Sequence, residues 1–349
     1  MIIFLKLLSR KTLEFLLTLV GIALVCFTLI RLIPGDPVIT LAGERGRSPE
    51  VREEIRHRLG LDRSLPEQFG IYILKTIQGD LGNSIITGDS VWNEFKERFP
   101  ATVELSLMAM FFATLIAVPT GVISSLKRNS PVDVVISSVN LVGYSMPIFW
   151  WALMLIAFFS NYLQWTPVSG RISVEFDVPY WTGFYFLDTL QKTVRESDGW
   201  LPFVSALRHM ILPVAALMTI PTAVLTRVTR TAMIDVINED FIRTAEAKGL
   251  SSFRIYFIHA LRNAMIPILT SFGILLGMLL VGAVLTETIF SWPGVGKWIV
   301  QSIAARDYPV LQSGLLMLAS VVVITNYFVD LLYLILDPRT RQRIIGGRA

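Results

Sequence analysis

Six long apolar runs determine which folds are open to this chain. A helix needs ~20 residues to cross the ~30 Å hydrocarbon core of a bilayer, and each run approaches or exceeds that length. The 349 residues are 53% hydrophobic, which is typical of polytopic membrane proteins. We therefore predict an all-α, polytopic integral membrane protein with six transmembrane helices, based on the runs Phe15–Ile30, Leu105–Leu126, Val134–Tyr162, Met210–Thr226, Asn263–Thr286 and Tyr308–Val329.

Basic residues near the ends of short loops predict the orientation. Lys6, Arg10 and Lys11 precede the first run, and no small-residue cleavage site follows it, so we expect a retained span rather than a signal peptide. An N-terminus in the cytoplasm places the basic stretches 227–262 and 339–348 inside as well. Both termini are therefore expected on the cytoplasmic side of the membrane.

Residues 32–100 are polar and broken by glycine and proline. Three amphipathic helices are predicted there, over about 48–60, 66–78 and 90–99, none long or apolar enough to cross a bilayer. They either hold the first span against the rest of the chain or contact an external partner. The organisation expected is residues 1–100 (first span plus this extracytoplasmic segment), 101–337 (a core with spans near 105–126, 134–162, 206–228, 260–286 and 308–336) and 338–349 (a basic cytoplasmic tail).

A charged segment between two apolar runs is the clearest candidate for a functional site. Residues 239–250, which we name the elbow segment, predict a short amphipathic helix ending at Gly249, where a residue tolerant of positive φ is needed. Ser251 or Ser252 is expected to cap a second helix running to Pro267. The candidate contact residues are Glu239, Asp240, Phe241, Arg243, Thr244, Ala245, Glu246, Ala247, Lys248, Gly249 and Leu250.

No catalytic or metal-binding constellation is recognisable in the sequence. The three histidines are scattered, and the single cysteine, Cys26, lies in an apolar run. The stretch 294–297 resembles a phosphate-binding loop but lacks its first glycine and has Trp298 where Ser or Thr would bind magnesium. We therefore expect no enzyme activity, no cofactor on this chain and, with a net charge of +4, no nucleic-acid partner.

Several segments resemble the ABC-importer permeases of the dipeptide/oligopeptide branch. Residues 244–249 followed by 259–264 are similar to the EAA loop of that family, although Thr244, Glu246, His259 and Arg262 depart from its general pattern. Further matches are residues 33–37, 143–147, 166–171 and 287–294. The resemblance covers nearly the whole chain and is closest to the B-type membrane subunit.

This resemblance implies a type I ABC importer permease fold and a set of partners. These are a second homologous permease subunit (a heterodimer), two cytoplasmic ATP-binding subunits that carry ATP and Mg²⁺, an extracytoplasmic peptide-binding protein, and membrane lipid. The location that the resemblance implies is the inner (plasma) membrane of a bacterium. The elbow segment would contact an ATPase subunit. An outer gate, or at minimum an interfacial aromatic belt, would be formed by Glu287, Phe290, Trp292, Pro293 and Gly294.

Polar residues within the spans are candidates for a translocation path. They are Asn140, Tyr144, Ser145 and Asp330, and the helix-kinking Pro147 is a further candidate for this path. Two other classes of function remain open: an ion- or proton-coupled carrier without ATPase partners, and an intramembrane enzyme. The carrier would need paired carboxylates or histidines near the bilayer midplane, and Asp330 is the single candidate.

Overall fold

The computed structural model describes residues 2–32, 50, 53, 57 and 62–336, and it describes side chains from 12 to 28, at 50, 53 and 57, and from 62 to 329. Within this part of the chain the regular structure is helical and no strand occurs. The helix predicted over 48–60 and the basic tail 338–349 lie outside the described residues. The helices are α1 (Ile2–Leu32), α2 (Leu65–Ile77), α3 (Val91–Leu126), α4 (Pro131–Ser145), α5 (Ile148–Leu155), α6 (Tyr185–Asp188), α7 (Lys192–Asp198), α8 (Leu201–Leu217), α9 (Thr219–Ile237), α10 (Asp240–Ala247), α11 (Leu261–Ile289), α12 (Val295–Ala305) and α13 (Tyr308–Leu336), with π-helical turns at Ile156–Tyr162 and Arg254–Ala260.

Helices of membrane-spanning length recur along the chain. By length and composition, Val91–Leu126, Arg254–Ile289 and Tyr308–Val329 could each cross a bilayer, and each of two bent helix pairs could form one more span. Helix α1 contributes the shorter apolar stretch Thr12–Thr28. The described residues therefore contain three helices able to cross a membrane, or up to five if each bent pair is one span, and Thr12–Thr28 overlaps the first predicted run. The fourth predicted run, Met210–Thr226, extends across the boundary between α8 and α9.

Two of the predicted elements differ from the helices in the structure. The segment from Ser90 to Phe99 was expected to be separate from the following span, but α3 continues through Pro100 as one 36-residue helix. Residues 134–162 were expected to form one span, but α4 and α5 meet at a bend of 102°. Met146 has an extended backbone there (ψ 129°), as expected for a residue before proline, and Pro147 lacks the N–H that would continue the helix.

The described chain forms two compact units. The first contains residues 1–100 and 294–323, and the second contains 101–293 and 324–349. In the first unit, the start of α3 packs with α12 and α13 around Phe95, Trp298 and Val310. The Glu94 carboxylate there accepts hydrogen bonds from the Thr87 hydroxyl and from the Trp298 indole N–H (2.6 Å).

The second unit is built around α11, which packs against α9. Its main core combines Leu105, Met110, Leu217, Leu225 and Trp292, all of them buried. Gly273 and Gly277 of α11 allow close approach to the end of α13. A Cβ added at Gly273 would lie 2.3 Å from the Val329 side chain, and one at Gly277 would lie 2.9 Å from Asn326 Oδ1. This small-residue pair, spaced like the motifs that bring membrane helices together, was not recognised in the sequence.

Candidate functional site

The elbow segment contains a short helix that ends at a left-handed glycine. Helix α10 covers Asp240–Ala247, and Gly249 has φ +78°, so the predicted positive φ is confirmed. The Gly249 N–H donates to the Glu246 carbonyl (2.9 Å), and the Leu250 N–H donates to the Ala245 carbonyl (3.3 Å). These bonds occupy carbonyls that the end of a helix would otherwise leave unpaired.

One face of α10 is buried in the chain's own core. Ile242 is 1% exposed and Ala245 is 9% exposed. They pack with side chains from three neighbouring helices and from the π-helical turn, namely Val122, Met233, Ile255, Ala260, Ala264 and Ile268. The helix is therefore attached to the ends of α3, α9 and α11, and a force applied to it acts on all three.

The opposite face of α10 is polar except for one large apolar side chain. Phe241 is 41% exposed, and it is flanked by the exposed side chains of Asp240 and Arg243, which form an ion pair at 3.5 Å. Leu250 is half-buried. The other predicted contact residues are exposed, namely Glu239, Thr244, Glu246, Ala247, Lys248 and Gly249. The sequence analysis assigned Ala245 to packing against a partner. That assignment is corrected here, because Ala245 is buried against its own chain.

A continuous helical segment leads away from the elbow. The π-helical turn Arg254–Ala260 runs directly into α11, and together they form 36 residues of helix from Arg254 to Ile289. The Ile255 N–H donates to the backbone carbonyl of Ser251 (3.0 Å), and the N-terminus of this turn has no side-chain cap, so the predicted hydroxyl cap is absent. Wide π-type turns are frequent at functional positions in helices.

The candidate path residues are concentrated on α4. Tyr144 and Ser145 are exposed, Asn140 is half-buried, and Pro147 lies at the bend between α4 and α5. The Ser145 hydroxyl donates to the Leu141 carbonyl (2.8 Å), which satisfies it within its own helix. Asp330 lies on α13, outside the part of the chain whose side chains are described.

The large side chains of the 287–294 segment are buried rather than interfacial. Glu287, Phe290 and Trp292 are each at most 1% exposed, so the expectation of an aromatic belt at the membrane surface is wrong. The Trp292 indole N–H donates to the Ala101 carbonyl (2.8 Å), and the Thr102 hydroxyl donates to the Glu287 carboxylate (2.6 Å). Of the remaining predicted gate residues, Pro293 is exposed and Gly294 is buried.

A buried ion pair that the sequence analysis missed fastens the neighbouring loop. Arg171 donates to Glu104 on α3 and to the Gly183 carbonyl (2.8 Å), and its guanidinium lies over the Trp292 ring, 5.3 Å from the centroid. Both charged side chains are almost fully buried. The Gly170 N–H also donates to the Phe290 carbonyl (2.8 Å), so residues 166–171 and 287–292 form one hydrogen-bonded assembly with residues 101–104 of α3.

A signal for this pair was present in the sequence. Arg171 ends one of the segments that carried the family resemblance, and Glu104 is the charged residue immediately before the second apolar run. The sequence analysis used Glu104 only to mark where that run begins. Among the described residues no group of three or more His, Cys, Asp or Glu side chains could hold a metal ion.

Comparison with known proteins decides the family. The model of the binding-protein-dependent transport system inner membrane component matches residues 117–342, and the N-terminal model of the same membrane component matches residues 4–106. The chain belongs to this family. It is 52% identical to the di/tripeptide transport system permease protein DppB of Pseudomonas aeruginosa, over 93% of this chain and 96% of that protein. It is 47% identical to the dipeptide transport system permease protein DppB of Escherichia coli K12, with the same coverage.

A solved structure supports the same fold. The inward-facing MetNI methionine ABC transporter contains a chain that superposes with a TM-score of 0.50 at 15% identity, covering 68% of this chain and 93% of that one. The protein is therefore an all-α, type I ABC importer permease, a multi-pass transport component of the inner membrane and not an enzyme. Its family implies ATPase and binding-protein partners, and nucleotide binding belongs to the ATPases.

Proposed function

We propose that this chain forms half of the translocation pathway of an ATP-driven importer for dipeptides or short peptides. The observation that carries the coupling part of the proposal is the exposed face of α10, which offers Phe241 beside the charged Asp240 and Arg243. A single apolar side chain surrounded by charges suits a groove on a soluble partner, because the ring supplies buried area and the charges supply orientation.

The substrate class is inferred from the relatives. Three of them, with 46–52% identity, carry names that specify dipeptide or di/tripeptide transport. The partners that we propose are a second, homologous permease subunit in a heterodimer, two cytoplasmic subunits that bind ATP and Mg²⁺, and an extracytoplasmic peptide-binding protein. In this arrangement the chain lies in a bacterial inner membrane with both termini, and the elbow segment, on the cytoplasmic side.

The mechanism follows from how α10 is attached. ATP-driven closure of the two ATPase subunits would move α10 as a rigid body, since Ile242 and Ala245 tie it to α3, α9 and α11. The helix from Arg254 to Ile289 would carry that motion to the buried 287–292 segment, whose separation from Ala101 and Thr102 would open the far side of the pathway. The proposed path residues are Asn140, Tyr144, Ser145, Pro147 and Asp330. The proposed gate consists of Glu287, Phe290, Trp292, Pro293 and Gly294.

An uptake assay tests this function against the proton-coupled alternative. The complete transporter, purified with its partner subunits, is reconstituted in proteoliposomes with a radiolabelled dipeptide and the binding protein outside. We expect uptake to require ATP inside the vesicles and to persist when a protonophore removes the pH gradient. Uptake that needs the gradient and ignores ATP would refute the proposal, and competition by unlabelled di-, tri- and pentapeptides would define the size range.

A further inference from the structure

The start of α4 is attached to α9 by a bidentate ion pair between the buried Asp133 and the half-buried Arg230. The Arg230 side chain donates from Nε to Asp133 Oδ1 (2.8 Å) and from Nη2 to Oδ2 (2.7 Å). Asp133 is 4% exposed and also accepts hydrogen bonds from the Ser124 hydroxyl and from the Asn129 N–H (2.9 Å). A bidentate guanidinium–carboxylate contact fixes orientation as well as distance, unlike a single hydrogen bond.

This pair connects the elbow segment to the helix that carries the proposed path residues. Arg230 lies on α9 one turn before Met233, which packs against Ile242 and Ala245 of the elbow. Asp133 lies in the first turn of α4, the helix that carries Asn140, Tyr144 and Ser145. Helix α4 itself contributes no residue to the apolar cluster around the elbow. Its polar contacts with the helices that do contribute run through Asp133, by the bidentate pair with Arg230 on α9 and by one hydrogen bond from Ser124 on α3.

A second close approach leaves α4 little freedom relative to α9. A Cβ added at Gly143, near the far end of α4, would lie 2.9 Å from the Thr219 side chain at the start of α9. The two helices therefore touch through a small-residue contact at one end and through the Asp133–Arg230 pair at the other. The bidentate ion pair fixes orientation as well as distance, so together with this contact it sets one register of α4 on α9.

We propose that Arg230 is a positioning residue that locks α4 to α9, so that a displacement of the elbow also moves the path-lining helix. The inference rests on the proposed function. Loss of the guanidinium leaves the Asp133 carboxylate buried with only Ser124 and Asn129 as partners, and α4 then no longer follows α9 in a fixed register. ATP hydrolysis in the partner subunits continues, but a smaller share of it drives transport.

The test compares transport with hydrolysis in the same reconstituted transporter. For Arg230→Gln, we expect uptake per ATP hydrolysed to fall roughly tenfold, within the range typical of coupling between sites. Arg230→Lys keeps the charge but loses the bidentate geometry, and an intermediate value is expected. Asp133→Asn should match Arg230→Gln, and the double variant should be no worse than either single variant, because the two side chains act as one unit.

A matched control uses an ion pair that the mechanism does not involve. Lys192 and Glu196 on α7 form an exposed pair at 3.6 Å, and Lys192→Gln should leave uptake per ATP unchanged. The proposal is overturned if Arg230→Gln transports as much per ATP as the wild type. It is equally overturned if uptake and ATP hydrolysis fall by the same factor, because that result indicates a purely structural role. The third contradicting result is that the effects of Arg230→Gln and Asp133→Asn add in the double variant.

A spectroscopic readout covers the case in which Arg230→Gln assembles poorly. Spin labels at the exposed positions Val135 and Thr231 in the complete transporter report the distance between α4 and α9. We expect Arg230→Lys, and Arg230→Gln where recovered, to broaden that distance distribution, and an unchanged distribution would contradict the proposal. If the wild-type transporter shows no ATP-driven uptake, the proposed function itself fails, and this result is separate from any result with the variants.

Discussion

Gly249→Val is expected to abolish ATP-driven peptide uptake while the chain still inserts into the membrane. Gly249 has φ +78°, a region that costs an L-residue roughly 1–2 kcal/mol and a β-branched residue more. No atom lies within 4 Å of the position that an added Cβ would occupy, so the penalty comes from the backbone and not from a clash. Valine would straighten the turn and misplace α10 relative to the helix that begins at Arg254. Peptide-dependent growth and vesicle uptake are the measurements.

Two companion substitutions separate the turn at Gly249 from a general cost of losing a glycine. Gly88 has the same φ of +78° and equally open surroundings, and Gly88→Val should leave uptake per assembled transporter at the wild-type level. Gly249→Asn should retain much of the uptake, because asparagine tolerates the left-handed region. Normal uptake by Gly249→Val at a normal membrane level would contradict the proposed role of the elbow.

Arg171→Ala is expected to produce the largest loss of stability. It leaves the Glu104 carboxylate, whose side chain is 2% exposed, buried without its counter-ion, and breaking one partner of a buried pair typically costs ~3–5 kcal/mol. The same substitution removes the stacking of the guanidinium over the Tyr185 ring, 4.2 Å from the centroid. We expect a lower yield of assembled chain and a clear fall in the unfolding temperature in detergent, measured by the fluorescence of the tryptophans.

The double variant Glu104→Gln/Arg171→Met provides the control for that prediction. Because neither residue then carries a charge, the double variant should recover most of the stability that Arg171→Ala loses. Lys192→Ala removes one partner of a solvent-exposed pair and should leave the unfolding temperature unchanged. An unfolding temperature for Arg171→Ala equal to that of the wild type would show that the buried pair does not fasten the loop.

Local patterns in the sequence were sufficient to predict most of the fold. Apolar run length identified the helices, and the spacing around Gly249 identified both the helix of the elbow and its turn, because each depends on neighbouring residues alone. Pro100 was treated as a boundary, yet α3 continues through it, and Pro147 instead marks the break between α4 and α5. A proline removes one backbone hydrogen bond in either case, and tertiary packing decides whether the helix continues.

Contacts between distant segments could not be predicted in the same way. Glu104 and Arg171, or Asp133 and Arg230, are ordinary charged residues in the sequence, and their pairing depends on helices brought together by the fold. For the same reason Trp292 was expected at the membrane surface, whereas it is fully buried with its indole N–H bonded to Ala101. Ala245 likewise belongs to the apolar stripe that the sequence predicts, but the stripe alone does not say which partner it packs against.

The sidedness of the elbow segment tests the account most directly. Lys248 is exposed at the end of α10, and Cys26 is the chain's single cysteine, so Lys248→Cys in a Cys26→Ser background gives one reactive thiol. A membrane-impermeant maleimide should label this thiol in inverted vesicles and not in right-side-out cells, and the ATPase subunits should protect it once they are bound. Labelling from outside intact cells, with no protection by the ATPases, would contradict the central claim that this segment receives the force of ATP hydrolysis.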